Sequence, residues 1–558
     1  MRRKGLYALG PLAAYLAVVL PNARFVPLWD SSPYAECVVS AVASPFNLLS
    51  FGCFNHPSIV YLFLVGLGQY VDLGNSALLV VVNAALGCLG LFAFHRIASL
   101  LAKDEPFLAL AAAFALAFHP VFLATTVFLN SDFGVVVFFL ATLAALLEGR
   151  ILLTALAGLG LVFSKETGLL LYVTAIGLHG LFALHAAARS AWPSIVRRLS
   201  PLAVPVFAFA FYFVLKLTTN GGAAVWVPPT YEARDSVLKM FITFRFDLAL
   251  LAYLQAIFVL SFAWVTSGIV FLWAVVTAVR AVRRRGTSEC EVTVEALESG
   301  RLRRFLVVLV VVSCYLLTRY QTFLNVRYFL PLYPLLLLLA VVMAVQALLS
   351  RPLERVVVAV AVAALNLVSA HRTVDPVSKM AFGTFPFGEH PILRMTAPTR
   401  ECCGFGRDQL VYNLEFVRFH DAVDELFRTT RPRQDAILTA HAQAVDWYMV
   451  GAIDTATYGR TIRPKGSYKP KVAFPEAIVR GRLAPDELTF IVFPNFDNRL
   501  PLSRLAPLYV PVRVSRYGKD GYFMDVLTLA RRRPPMVAFR PGPEPGEAIP
   551  PRSPASAP

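Results

Sequence analysis

The chain has 558 residues, of which 57% are hydrophobic and only 16% charged, with a mean hydropathy of +0.61. Apolar stretches recur faster than one water-soluble core could bury them, which excludes a soluble globular protein and leaves a polytopic membrane protein. The formal charge of +17 does not point to nucleic acid, because the basic residues lie in loops without the aromatic set of a nucleic-acid-binding face.

A hydrocarbon core about 30 Å thick needs roughly 20 mostly apolar residues per helix. The runs here are continuous rather than alternating, so they read as helices and not as barrel strands. They fall near 6–21, 76–98, 106–124, 132–147, 151–164, 168–185, 201–217, 250–279, 304–318, 328–349 and 356–369, about 11 transmembrane helices in all. The first is followed by a polar loop, 22–75, with the carboxylates Asp30 and Glu36 and a second polar island, Asn55-His56-Pro57. Within that loop 57–71 is apolar but short, which suits a helix lying in the interface.

Lys and Arg concentrate at 2–4, 189–198, 280–304 and 351–355, loops that one count of spans puts on a single side. Cytoplasmic loops carry that excess, so the N-terminus is cytoplasmic. It follows that 22–75, 125–131, 218–249, 319–327 and everything after about 370 are extracytoplasmic. The basic start, the apolar run and Pro21-Asn22-Ala23 also fit a signal peptide; a retained anchor is preferred, because it keeps the span number odd and the charge pattern intact.

The seven cysteines show no zinc spacing. Cys88 and Cys314 fall in spans and Cys290 in a cytoplasmic loop, whereas Cys37, Cys53, Cys402 and Cys403 are extracytoplasmic, where oxidation can occur. Cys37 with Cys53 forms a loop disulfide or stays reduced; adjacent Cys402 and Cys403 bridge each other only with strain. Residues 1–370 read as the transmembrane part. Beyond them, an amphipathic stretch at 411–427 and β-rich runs at 488–493, 508–515 and 522–530 indicate a small extracytoplasmic mixed α/β domain over 371–531. The tail, 532–558, is too rich in proline to pack and reads as disordered. No P-loop, dinucleotide fingerprint or internal repeat appears.

Several short motifs then share one order and one side of the membrane. They are Trp29-Asp30 through Tyr34-Ala35-Glu36, His56-Pro57 opening the next helix, Asn130-Ser131-Asp132, Ser164-Lys165-Glu166-Thr167-Gly168, and Arg327-Tyr328-Phe329-Leu330-Pro331-Leu332-Tyr333-Pro334. In this order, over roughly 1–350, the chain resembles the GT-C membrane glycosyltransferases. The branch it is most similar to holds the bacterial relatives of protein O-mannosyltransferases and the lipid A aminoarabinose transferases. It departs from many members in carrying Asp30-Ser31 where they have Asp-Glu, and from some in carrying His56 where they have Lys.

The resemblance implies a sugar donor carried on a polyprenyl phosphate and transfer to an extracytoplasmic acceptor, in a bacterial inner membrane. Such a transfer needs a base for the acceptor hydroxyl and cationic or metal help for the departing phosphate. Asp30 is the base candidate, a single carboxylate acting through the acceptor and giving inversion; the alternative is a solvated loop acid. Arg327 and Lys165 rank first for the phosphate, since a permanent fork or a point charge suits it better than the neutral imidazole of His56. Either cation can instead snorkel to headgroups.

Glu36 orders the acceptor, binds a metal or caps the following helix. Asp132 orients donor or acceptor, or is an acid stabilised by a helix N-terminus. Glu166 joins these as a possible orienting or metal-binding carboxylate. As a sequence neighbour of Lys165 on a helix it diverges from it. A divalent metal ion is the one cofactor this carboxylate set admits. His119, before Pro120, reads as a helix-end residue. Tyr320, Tyr328, Tyr333, Trp226 and Trp264 read as an aromatic belt. The competing class is a transporter or flippase of lipid-linked glycans, which inverted repeats and broken midplane helices would mark.

Overall fold

The computed structural model describes residues 7–23, 31–53, 56–186, 188–219, 248–260, 262–284, 294–320, 325–371, 384–387, 390–393, 437–439, 453–454, 461–462, 484–492, 499–519 and 522–532, with single residues 377, 414, 464, 478 and 482. Asp30, Asn55, Trp226, the loop 220–247, Cys290, Cys402, Cys403, almost all of 411–427 and the tail after 532 lie outside the described residues.

The first half is helical: α1 (Leu9–Val19), α2 (Ser31–Ala43), α3 (Ile59–Gly66), α4 (Ser76–Leu101), α5 (Pro106–Ala117), α6 (Pro120–Val127), α7 (Ser131–Leu147), α8 (Ile151–Val162) and α9 (Glu166–Ala186). The second continues with α10 (Trp192–Leu199), α11 (Val204–Thr219), α12 (Leu248–Phe258), α13 (Ala263–Arg284), α14 (Val294–Tyr320), α15 (Leu332–Leu337), α16 (Val345–Leu348) and α17 (Pro352–His371). Among the described residues five helical stretches are alone long and apolar enough to cross a bilayer: α4, α9, Trp192–Lys216, α13 and α17. The pair α5 and α6 makes a sixth, and six shorter apolar helices accompany them.

The span expected at 106–124 is a broken one, its halves bent by 52°. Pro120 has no N–H to give back, and its ring excludes the carbonyl four residues earlier. In a lipid surround the freed groups need protein partners. His119 N–H donates to the Leu116 carbonyl (3.0 Å), and Asn366 Nδ2 of α17 donates to Ala115 O (2.8 Å). At the far end of α6, Asn83 Nδ2 of α4 donates to Thr126 O (2.8 Å). Thus two buried asparagines make the break tolerable and tie it to its neighbours.

Other expected spans are reshaped for similar local reasons. The run 250–279 is two helices, with Phe262 between them in the left-handed region at φ 61°. The run 328–349 becomes α15, a π segment Leu338–Ala344 and α16, buried from Leu332 to Val345. A helix apolar all round belongs inside the bundle, and this one lies there. In the run 57–71, Tyr61, Leu62 and Val65 of α3 are fully buried against protein, while Leu67, Tyr70 and Val71 are exposed.

Beyond His371 the described residues form β1 (Thr384–Phe387) with β2 (His390–Leu393), β3 (Ile437–Thr439), β4 (Ile453–Asp454) with β5 (Thr461–Ile462), β6 (Glu487–Val492), α18 (Arg499–Leu505), β7 (Tyr509–Lys519) and β8 (Tyr522–Arg531). The order β3-β6-β8-β7 makes a mixed sheet, β3 parallel to β6 and the rest antiparallel. Strand alternation splits its faces. Leu488, Phe490 and Leu529 pack with Ile478, Leu505 and Tyr509, while Ile491 and Val526 join the core of the helical body. Ile462 N–H donates to Gly74 O (2.8 Å), which fastens β5 to the turn before α4.

Candidate active site

Three helix starts converge at one end of the bundle. Asn130 is extended and its side chain accepts from Phe133 N–H (3.2 Å), so it caps α7. Asp132 follows in the first turn, where the helix dipole favours a carboxylate. Lys165 ends the turn between α8 and α9. That turn is tight: Gly168 N–H donates to Lys165 O (2.8 Å), and a Cβ on Gly168 would run into the Leu161 carbonyl. The glycine of the Ser-Lys-Glu-Thr-Gly motif is therefore a steric requirement. Asn325 caps the turn before α15, its side chain accepting from Arg327 N–H (3.2 Å).

These three starts deliver one buried ion cluster. Lys165 Nζ lies 2.8 Å from Asp132 Oδ1, and Arg327 Nε lies 3.3 Å from Asp132 Oδ2. Their side chains are 9%, 6% and 11% exposed, Lys165, Asp132 and Arg327 in turn. Burial makes charges costly unless they are paired, and Asp132 pairs with both cations. The Tyr328 ring lies under both cations, 4.3 Å from Lys165 Nζ and 5.2 Å from Arg327 Cζ. Its face partly offsets their charge.

Tyr328 was expected in an aromatic belt, and so was Tyr333; both are buried. The Tyr333 ring packs on His119 (4.7 Å between centroids) and its hydroxyl donates to Ala256 O (3.4 Å). Position near a span end suggested a belt, but the bundle closes over this segment.

A second pair adjoins the first. His56 Nδ1 lies 2.9 and 3.0 Å from the two Glu166 oxygens. The start of α3 is pinned to the α8–α9 turn by Val60 N–H donating to Phe163 O (3.2 Å). Lys165 and Glu166 diverge as the helix requires, each reaching a different partner. Close approach of α3 to α7 depends on Gly134, where a Cβ would sit 2.6 Å from Tyr61 Cγ and 2.8 Å from Ser164 Oγ. The Tyr61 hydroxyl donates to Asn83 Oδ1 (2.9 Å), linking this contact to the broken helix α6.

Of the expected site residues, the structure thus joins Asp132, Lys165 and Arg327, and beside them His56 and Glu166. Glu36 is partly exposed on α2. It stands two residues, about 200°, around that helix from Tyr34, whose hydroxyl is 3.3 Å from Ser131 Oγ. Asp30 lies outside the described residues, but Ser31 next to it is buried at the start of α2. Among the described residues no group of three His, Cys, Asp or Glu comes together to hold a metal ion. Asp132 engages Lys165 and Arg327, and Glu166 engages His56.

No protein-family model matches the sequence, and no curated protein matches it. Among solved structures the chain is similar to ArnT from Cupriavidus metallidurans, in a crystal structure bound to undecaprenyl phosphate (12% identity) and in one of the apo state (13%). Each alignment covers 94% of this chain and 97% of that one, with a TM-score of 0.50. At this identity the likeness is one of fold: the chain shares the overall fold of that protein across nearly its whole length.

Proposed function

We propose that this protein is an integral membrane glycosyltransferase that takes a sugar from a polyprenyl-phosphate carrier and passes it to an extracytoplasmic acceptor, inverting the anomeric centre. The observation that carries the reading is the buried triad of one carboxylate and two cations. Two buried cations held side by side fit a phosphate, and the fold neighbour has been crystallised with undecaprenyl phosphate.

In this reading the departing phosphate takes the place of solvent beside Lys165 and Arg327, which stabilise the charge that develops as the sugar–oxygen bond breaks. Lys165 acts as a point charge and Arg327 as a fork, while Asp132 keeps both in place before the lipid arrives. His56, held at Nδ1 by Glu166, offers its other ring nitrogen to the same oxygens. Asp30 takes the proton of the acceptor hydroxyl as that oxygen attacks from the face opposite the phosphate. Gathering of the charges at one end of the bundle fits surface chemistry better than passage through the membrane.

The test is transfer of radiolabelled sugar from a panel of polyprenyl-phosphate sugars by purified wild type and Asp30→Asn. The wild type should transfer, and the variant should be slower by about 10²–10⁴-fold. Equal rates would remove Asp30 as the base. Lipid flux without transfer would replace the enzyme by a transporter.

A further inference from the structure

The segment that carries His56 is anchored by a covalent bond before it reaches the site. Cys37 of α2 is disulfide-bonded to Cys53, 16 residues further on. Cys53 is 3% exposed, and the turn around it is tightly packed. Phe51 is fully buried and meets Phe63 of α3 edge-on at 5.5 Å. A Cβ on Gly52 would lie 3.3 Å from the Tyr212 hydroxyl of α11. The Cys53 carbonyl accepts the His56 N–H at 2.9 Å, so the imidazole follows directly from the cross-linked turn.

The other arm of the cross-link reaches the same site by a different route. Tyr34 stands one helical turn before Cys37, and its hydroxyl is 3.3 Å from Ser131 Oγ, the residue before Asp132. The links therefore close a ring. It runs from α2 through Cys37 and Cys53 to His56, by 2.9 Å to Glu166, on to its neighbour Lys165, by 2.8 Å to Asp132, and through Ser131 and Tyr34 back to α2. Every link but one is a main-chain connection or a polar contact between site residues. The exception, the disulfide, is a covalent cross-link that joins α2 to the His56 turn in addition to the main chain.

We propose that Cys37 and Cys53 are positioning residues: their disulfide sets the distance between α2 and the His56 turn and so holds the imidazole on Glu166. This rests on the reading that glycosyl transfer occurs at the cluster. A cross-link that served only to stabilise the fold would not act through the His56–Glu166 contact, whereas a positioning one does.

The experiment compares purified wild type, Cys37→Ser/Cys53→Ser, Glu166→Gln and the triple variant. Transfer by the serine pair should fall about 10- to 100-fold, the scale on which small misplacements cost turnover. Because both changes act on one contact, the triple variant should be no slower than the slower parent by more than about 3-fold. Multiplying losses, or full activity of the serine pair, would overturn the proposal. Should the serine pair fail to fold, a phosphine applied to the native enzyme replaces it; the disulfide gains two electrons and two protons, and the phosphine gains oxygen from water. Carbethoxylation of His56, followed by peptide mass mapping, should then quicken at least 5-fold and return on reoxidation. An unchanged rate would also overturn the proposal, and this readout needs no transfer. If the wild type moved no sugar from any donor while His56 still loosened on reduction, the glycosyltransferase reading would fall and the positioning role would stand.

Discussion

The two ends of the helical bundle use the same ion pairs to different effect. Helix α7 has 17 residues and so separates Asp132 from Glu148 by about 25 Å. At the Glu148 end, Glu105 pairs with Arg355 (2.6 Å) and accepts from Gln346 (2.9 Å). Arg355 also donates to Leu349 O (2.8 Å), satisfying a carbonyl at the end of α16. Glu148 holds Arg96 (2.6 Å) and Arg150 (3.0 Å). That is again one carboxylate with two cations, but these arginines are 28% and 55% exposed, so water and salt screen them. At the Asp132 end neither cation is more than 11% exposed. Cations that solvent cannot reach are suited to an anionic ligand; cations in water are screened.

That contrast can be broken at its strongest point first. Asp132→Asn removes the carboxylate between two buried cations and should cost about 3–5 kcal/mol of stability. Thermal unfolding in detergent measures it, and saturating undecaprenyl phosphate should restore more stability to this variant than to wild type. Gly134→Ala forces Tyr61 and Ser164 away from α7, with an expected loss of about 1–3 kcal/mol and lower turnover. At the other end, Glu105→Gln exchanges a charge-assisted contact for a neutral one. It should cost about 1–2 kcal/mol while kcat stays within about 2-fold. The smallest effect belongs to the exposed pair Arg516–Asp525 of the sheet, where Arg516→Ala should change stability by less than about 0.5 kcal/mol.

Much of the helical fold was legible in the sequence, because long continuous apolar runs report helices. Lys165, Arg327 and Asp132 stood out because ionisable groups near apolar runs are costly. Their pairing was not legible, since Asp132, Lys165 and Arg327 come from three separate turns that only packing brings together. Tyr328 and Tyr333 were misread for a related reason: a span end in sequence need not be a surface in the bundle. Pro120 did signal the break in 106–124, but hydropathy averages over it. The partners that make the break tolerable, Asn83 and Asn366, lie 37 and 246 residues away from it. The strands β6, β7 and β8 were readable from alternation, whereas the order of the sheet depends on long-range pairing.

The central claim is that the triad at the Asp132 end is a phosphate site. Its most direct test is the affinity of purified protein for undecaprenyl phosphate, measured for wild type and for Lys165→Met/Arg327→Leu at two salt concentrations. Losing both charge-assisted contacts should weaken binding by at least about 100-fold, while the wild-type affinity falls little with salt. Equal affinities in the two proteins would contradict the account.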